Sequence, residues 1–109
     1  MTCDPWDVVV VPFPFTDSPA SKRRPALVLS SREFNHVSGH SLMAQITKAK
    51  QSSWPGDFRI QNVEAGLPEE CIVRMKLFTI DNRLMQKRIG RLSETDWEQV
   101  SSGLRQLLA

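Results

Sequence analysis

Four consecutive valines, Val8 to Val11, are closed off by Pro12 and again by Pro14. β-Branched side chains are stiff about χ1 and suit a pleated strand, so this run reads as a short strand buried on both faces. Each proline lacks a backbone donor. The strand must therefore end there or run on as an edge. A two-faced strand has to be covered on both sides, which demands more sheet and something packed upon it.

The rest of the chain supplies that sheet in similar short pieces. Residues 24–30 read as a second strand, with Pro25 at its beginning, where a ladder bond is not required. Further strands are expected at 41–47, 57–60, 71–75, 77–80 and 87–92, and one short helical turn at 31–37. Residues 17–22, 48–56 and 62–70 are loops by composition, the second holding a Trp54-Pro55-Gly56 turn. At Ser93 the period changes. Ser93-Glu94-Thr95-Asp96 is a capping-box pattern, and Trp97, Val100, Leu104, Leu107 and Leu108 then fall on one helical stripe. Acids early in this segment and Arg105 late in it suit the helix dipole. The expected fold is mainly β with α: a small β-barrel carrying a docked C-terminal helix. At 109 residues and 12.4 kDa it forms one domain, residues 1–109, large enough to bury a core without staples.

Several kinds of chemistry fit the composition poorly. Cys3 and Cys71 form no CxxC, too little for a disulfide scaffold or a cysteine zinc site; this points to a reducing, cytoplasmic setting, with Cys71 a buried hydrophobe. The N-terminus has no basic signal-peptide region, and no apolar run approaches the ~20 residues of a membrane span, so no membrane partner is expected. His36 and His40 are four apart, but Gly39 lies between them and no carboxylate completes a metalloprotease pattern. No metal or other cofactor is expected. Glycines are not clustered into a phosphate loop, and neither histidine sits in a motif that would activate a serine or cysteine.

Charge is more informative by distribution than by its net value of +2. Lys22, Arg23, Arg24, Arg32, Lys48 and Lys50 stand against Glu33 alone in one block. In a second block Arg74, Lys76, Arg83, Lys87, Arg88 and Arg91 stand against Asp81. Acidic stretches separate the two. A fold that brings the basic blocks together makes a site for a polyanion. Guanidinium, ammonium and hydroxyl groups near strand ends suit phosphate recognition and stabilisation of charge on a phosphorane-like transition state. RNA carries its own nucleophile, the 2′-hydroxyl. A protein that cleaves through it needs no metal: it must hold the backbone in line, neutralise charge and assist two proton transfers.

The ordered set Asp7-Val-Val-Val-Val-Pro-Phe-Pro-Phe-Thr-Asp17, Arg24-Pro-Ala-Leu-Val-Leu-Ser30, Gln45-Ile-Thr47, Lys76-Leu-Phe-Thr-Ile-Asp81 and Ile89-Gly-Arg-Leu-Ser93 resembles the MazF/PemK toxin family over nearly the whole chain. The resemblance implies an SH3-like barrel of the CcdB/PemK type and a homodimer. It further implies a metal-independent, sequence-selective endoribonuclease that cleaves single-stranded mRNA, and a cognate antitoxin that blocks the RNA groove. Arg24 matches the family's arginine on the scissile phosphate and Thr47 its catalytic-site threonine. Lys22, Arg23, Lys48, Arg74 and Lys76 are the implied RNA contacts. Thr79 and Asp81 are expected to shape a turn, Asp81 also aiding the arginines. Some members place an aspartate two residues after the arginine of this strand. Anchoring on Arg74 puts that acid at Lys76, anchoring on Asp81 puts it at Met75, and neither is a carboxylate. Trp6 stands where the family commonly has glycine. The loop at 16–23 lacks the histidine some members use, which leaves the general base open; for His36 and His40 a surface or core role is expected ahead of substitution there. Two alternatives accompany this reading: a CcdB-like toxin that binds gyrase without catalysis, and an inactive RNA-binding relative.

Overall fold

The structure, a computed structural model, describes residues 1–14, 20–48, 54–61, 66–67 and 69–109. The expected loops at 17–22, 48–56 and 62–70 lie partly outside these residues, as do Thr16 and Asp17. Among the described residues six strands form one antiparallel sheet: β1 (Asp7–Phe13), β2 (Lys22–Val28), β3 (His40–Lys48), β4 (Phe58–Arg59), β5 (Cys71–Asp81) and β6 (Lys87–Arg91). Their spatial order is β4-β5-β3-β2-β1-β6. Helix α1 (Arg32–Ser38) bridges β2 and β3, and helix α2 (Glu94–Leu107) closes the chain.

The valine run has the two-sided burial that its sequence demands. Val8 is wholly buried in one apolar cluster with Leu27, Ala44, Val73 and Val100, while Val9 and Val11 enter a second with Ala26, Val28, Met43 and Ile80. Alternation along a strand sends successive side chains to opposite faces, and here both faces are core. Burying each such side chain contributes about 1.5–3 kcal/mol. Pro12 does not end the strand. β1 pairs with β6 only from Asp7 to Val10, whereas its pairing with β2 continues to Phe13↔Lys22. Pro12 thus lies on the stretch of β1 that has a single neighbour, the edge position a proline tolerates.

β2 begins two residues earlier than its sequence suggests, and Pro25 lies within it, opposite Val10. The β2–β3 ladder starts only at Ala26↔Gln45, so the proline's missing donor costs that ladder no bond. The two strands expected around Lys76 are one long strand, β5. Its register against β3 jumps from Ala44↔Leu77 to Gln45↔Arg74, leaving Met75 and Lys76 as the extra residues of a bulge.

Helix α1 makes two turns rather than one. Ser31 caps it by accepting from the Phe34 N–H at 3.2 Å, and Gly39, at φ 71°, ends it in the left-handed conformation that glycine adopts without strain. Asn35, fully buried, donates from Nδ2 to Cys3 O at 2.9 Å and accepts at its backbone O from Asn82 Nδ2 at 2.7 Å. One residue thereby ties the N-terminal segment and the Asn82–Leu84 3-10 turn to the helix.

In α2 the Ser93 hydroxyl accepts from the Asp96 N–H at 3.1 Å, as the capping pattern requires. The Asp96 carboxylate, itself buried, accepts from the Gln61 N–H at 3.1 Å, which fixes the helix against the segment that follows β4. Trp97, Val100 and Leu104 pack on the first cluster. Leu107 and Leu108 do not continue the stripe into the core; both are exposed, and Leu108 already has extended backbone.

Trp6 has φ 81°, the left-handed region where a residue with a Cβ is strained. Its indole stacks on Trp97 with ring centroids 5.6 Å apart, and the Arg91 guanidinium lies 5.0 Å from its centroid. A backbone position that suits glycine is here held by aromatic and cation–π contacts.

Candidate functional site

The ladder between β2 and β3 covers only Ala26–Val28 against Met43–Gln45. Beyond it the strands fork: β2 toward Lys22 stays with β1, and β3 toward Lys48 stays with β5. The fork opens into a cleft of about 1550 Å³. Arg23 and Arg24 line it from β2, Thr47 and Lys48 from β3, and Arg74 and Lys76 from β5. Both basic blocks of the sequence therefore contribute to one wall system. Arg24 and Thr47, from different strands, share this space. Lys22 is exposed at the start of β2 and does not line it.

The cations are not equivalent. Among the described residues Arg23 and Arg24 are exposed and have no carboxylate partner. Lys48 Nζ lies 3.4 Å from Glu69 Oε2, but both side chains are more than half exposed, so the pair is weak and easily exchanged. Lys76 Nζ stands 4.6 Å from the centre of the Trp54 ring. Arg74 is committed. Its Nε and Nη2 donate to the two oxygens of Asp57 at 3.2 and 2.9 Å, a bidentate pair, with the carboxylate side chain only 8% exposed. The hydrogen bonds to Asp57 raise the guanidinium pKa, against the smaller opposing effect of burial.

Asp57 is the acid that sequence spacing along β5 does not supply. β4 pairs with β5 through Phe58↔Val73 and Arg59↔Ile72, and the same register carried one step further sets Asp57 opposite Arg74. Nothing local marks it, since the relationship exists only once that register is set. Lys87 and Phe13 also line the cleft without having been singled out from sequence.

One expectation is corrected. Asp81 does not aid the cleft arginines: it accepts from Arg83 N, Nε and Nη2 and caps the Asn82–Leu84 turn. These bonds to Arg83 hold its carboxyl well below the usual carboxylate range. The expected turn-shaping role is its observed one. Neither His36 nor His40 reaches the cleft; both are exposed, His36 on α1 and His40 at the start of β3. Cys71 does line the cleft, but burial raises its thiol pKa, with Glu69 adding to the effect, so a thiolate is disfavoured there. Among the described residues no group of three or more His, Cys, Asp or Glu is placed to hold a metal ion. No described helix is long and apolar enough to cross a membrane.

The arrangement gathers around one open cleft two guanidiniums without a carboxylate partner among the described residues, a hydroxyl, a buttressed guanidinium and three ammonium groups, a set suited to phosphodiesters. Comparison with solved structures agrees on the fold. The chain matches the MazE–MazF complex (Form-II) from Deinococcus radiodurans with a TM-score of 0.78 at 21% identity, covering 100% of this chain and 97% of that one. It matches an endoribonuclease in complex with its cognate antitoxin from a mycobacterial species with a TM-score of 0.76 at 11% identity, covering 98% and 93%. The Mycobacterium tuberculosis toxin MazF-mt6 matches with a TM-score of 0.74 at 17% identity, over 92% and 93%. A sequence search of curated proteins finds no match. The family model for the PemK-like, MazF-like toxin of type II toxin–antitoxin systems matches residues 4–108. With a cleft of this chemistry on this sheet, and a family match that spans both, the chain belongs to the PemK-like, MazF-like toxins of type II toxin–antitoxin systems.

Proposed function

We propose that residues 1–109 form one toxin domain that cleaves single-stranded mRNA in the cytoplasm, sequence-selectively and without a metal, and that acts as a homodimer restrained by a cognate antitoxin. The observation that carries this reading is the convergence of Arg24 and Thr47 on one cleft. In this mechanism Arg24 and the Thr47 hydroxyl hold the non-bridging oxygens of the scissile phosphate. The RNA's own 2′-oxygen attacks phosphorus, the bond to the 5′-oxygen breaks, and the products are a 2′,3′-cyclic phosphate and a free 5′-hydroxyl. Charge on the transition state exceeds that on the ground state, so preorganised donors accelerate the step. Arg23, Lys48 and Lys76 neutralise flanking phosphates, and Lys22 meets the backbone as it leaves the cleft. Arg74, fixed by Asp57, presents a rigid donor rather than a mobile charge. The neighbours solved as MazE–MazF and as an endoribonuclease with its antitoxin support the same pairing for this chain.

The test is incubation of the purified protein with a mixed-sequence RNA in EDTA. Cleavage at defined sequences leaving 2′,3′-cyclic ends is the expected result. Intact RNA together with inhibited gyrase overturns the reading in favour of a non-catalytic toxin. RNA binding without cleavage overturns it in favour of an inactive relative.

A further inference from the structure

Trp54 is a large aromatic residue left 41% exposed, and it packs in neither apolar cluster. The turn that carries it is nonetheless well anchored. The Asp57 N–H donates to Trp54 O at 3.2 Å, and the Asp57 carboxylate is locked on Arg74. Gly56, at φ 81°, lies so close to β5 that an added Cβ would stand 3.3 Å from Met75 Cγ. These contacts anchor the turn beside β5, and the Lys76 ammonium sits 4.6 Å from the centre of the indole. Lys76 also lines the cleft, so the ring stands at the cleft's rim with a cation between.

An exposed ring on an anchored turn, beside a cation, is the pairing by which proteins hold single-stranded nucleic acid, the base stacking on the ring and the phosphate meeting the charge. We infer that Trp54 and Lys76 form a subsite for a nucleotide flanking the cut phosphate. The indole stacks its base and the ammonium contacts its phosphate. This rests on the RNA-cleaving reading above and adds to it a contact outside the reacting atoms. Stacking is tolerant of base identity. The subsite therefore sets affinity for longer RNA rather than the sequence cut. Its binding energy is realised equally in ground and transition states, so it acts on KM and leaves kcat unchanged.

The experiment measures kcat and KM of the full chain and of Trp54→Ala, Trp54→Phe and Lys76→Ala on two single-stranded RNAs. One extends several nucleotides past each side of the cut; the other is trimmed to the cut site. The expected result is a KM about tenfold higher for Trp54→Ala on the long RNA. No change should follow on the trimmed RNA, and Trp54→Phe should restore most of the loss. An unchanged KM on the long RNA, or the same rise on both substrates, overturns the subsite while leaving the nuclease intact. Weaker antitoxin binding with unaltered RNA kinetics assigns the indole to a protein contact and also overturns it. Absence of cleavage and of RNA binding by the unmodified protein removes the underlying reading, and this proposal with it.

Discussion

The guanidinium of Arg74 meets the carboxylate of Asp57 in a two-pronged contact at the edge of the cleft, joining the turn before β4 to the bulged middle of β5. Both partners are largely withdrawn from water, 22% and 8% exposed at the side chain. Removing either leaves the other desolvated and alone. Asp57→Ala should destabilise the fold by about 1–3 kcal/mol. Arg74→Ala should also destabilise it, and the double variant should lose less than the sum of the two, as urea titrations in a double-mutant cycle will read. Additive losses would show that the pair is not coupled.

Arg24 has no such commitment. Its side chain is exposed on β2 and faces the cleft without a carboxylate among the described residues. Arg24→Ala should leave thermal stability within about 0.5 kcal/mol of the parent, as surface changes do. RNA cleavage should fall by roughly 10²–10³-fold, the range for losing a transition-state donor. Thr47→Val, which keeps the strand's shape and removes the hydroxyl, should lower kcat and leave melting unaltered. An Arg24→Ala protein cleaving at the parent rate would take this residue out of the mechanism.

RNA affinity should fall steeply with salt. Each phosphate neutralised on a single strand contributes about −0.7 to the slope of log affinity against log salt. Arg23→Ala, within the cleft, should flatten that slope by about one such increment. Lys22→Ala, outside it, should flatten it less. Equal effects of the two would place the RNA path along the outer edge of β2 rather than through the fork.

Trp6 allows backbone and side-chain contributions to be separated. Trp6→Ala loses the stacking on Trp97 and keeps a Cβ at φ 81°. Trp6→Gly loses the same stacking but relieves the backbone. Both should be less stable than the parent, with the glycine variant the better of the two by about 1 kcal/mol. A glycine variant no more stable than the alanine one would mean that the left-handed conformation carries no penalty here.

Cys71 should be a slow thiol. Burial raises its pKa, so at neutral pH less of it is thiolate than of a free cysteine. Alkylation by iodoacetamide should be slow near pH 7 and accelerate only as pH climbs past the ordinary thiol range. Fast modification at pH 7 would contradict the burial seen at this cleft wall. Cys71→Ser should retain RNA cleavage, since no step uses the sulfur.

What the sequence determined by itself was the set of elements whose causes are local. The valine run, the Ser93 cap and the helical period after it as far as Leu104 depend on residues within a turn or two of each other, and they stand where the residues place them. The resemblance singled out Arg24 and Thr47, which lie on β2 and β3 and line one cleft. The tertiary structure decided everything that depends on register. Arg74 and Asp57 meet because β4 pairs with β5 at Phe58↔Val73, and β5 stays one strand through Lys76 because β3 accommodates a bulge opposite it. The cleft exists because the β2–β3 ladder stops at Ala26↔Gln45. Trp6 tolerates its backbone because Trp97, from the far end of the chain, comes to lie beside it. Pairing register is a property of two strands at once, and a shift of one residue exchanges every side chain between faces, so no single segment contains it.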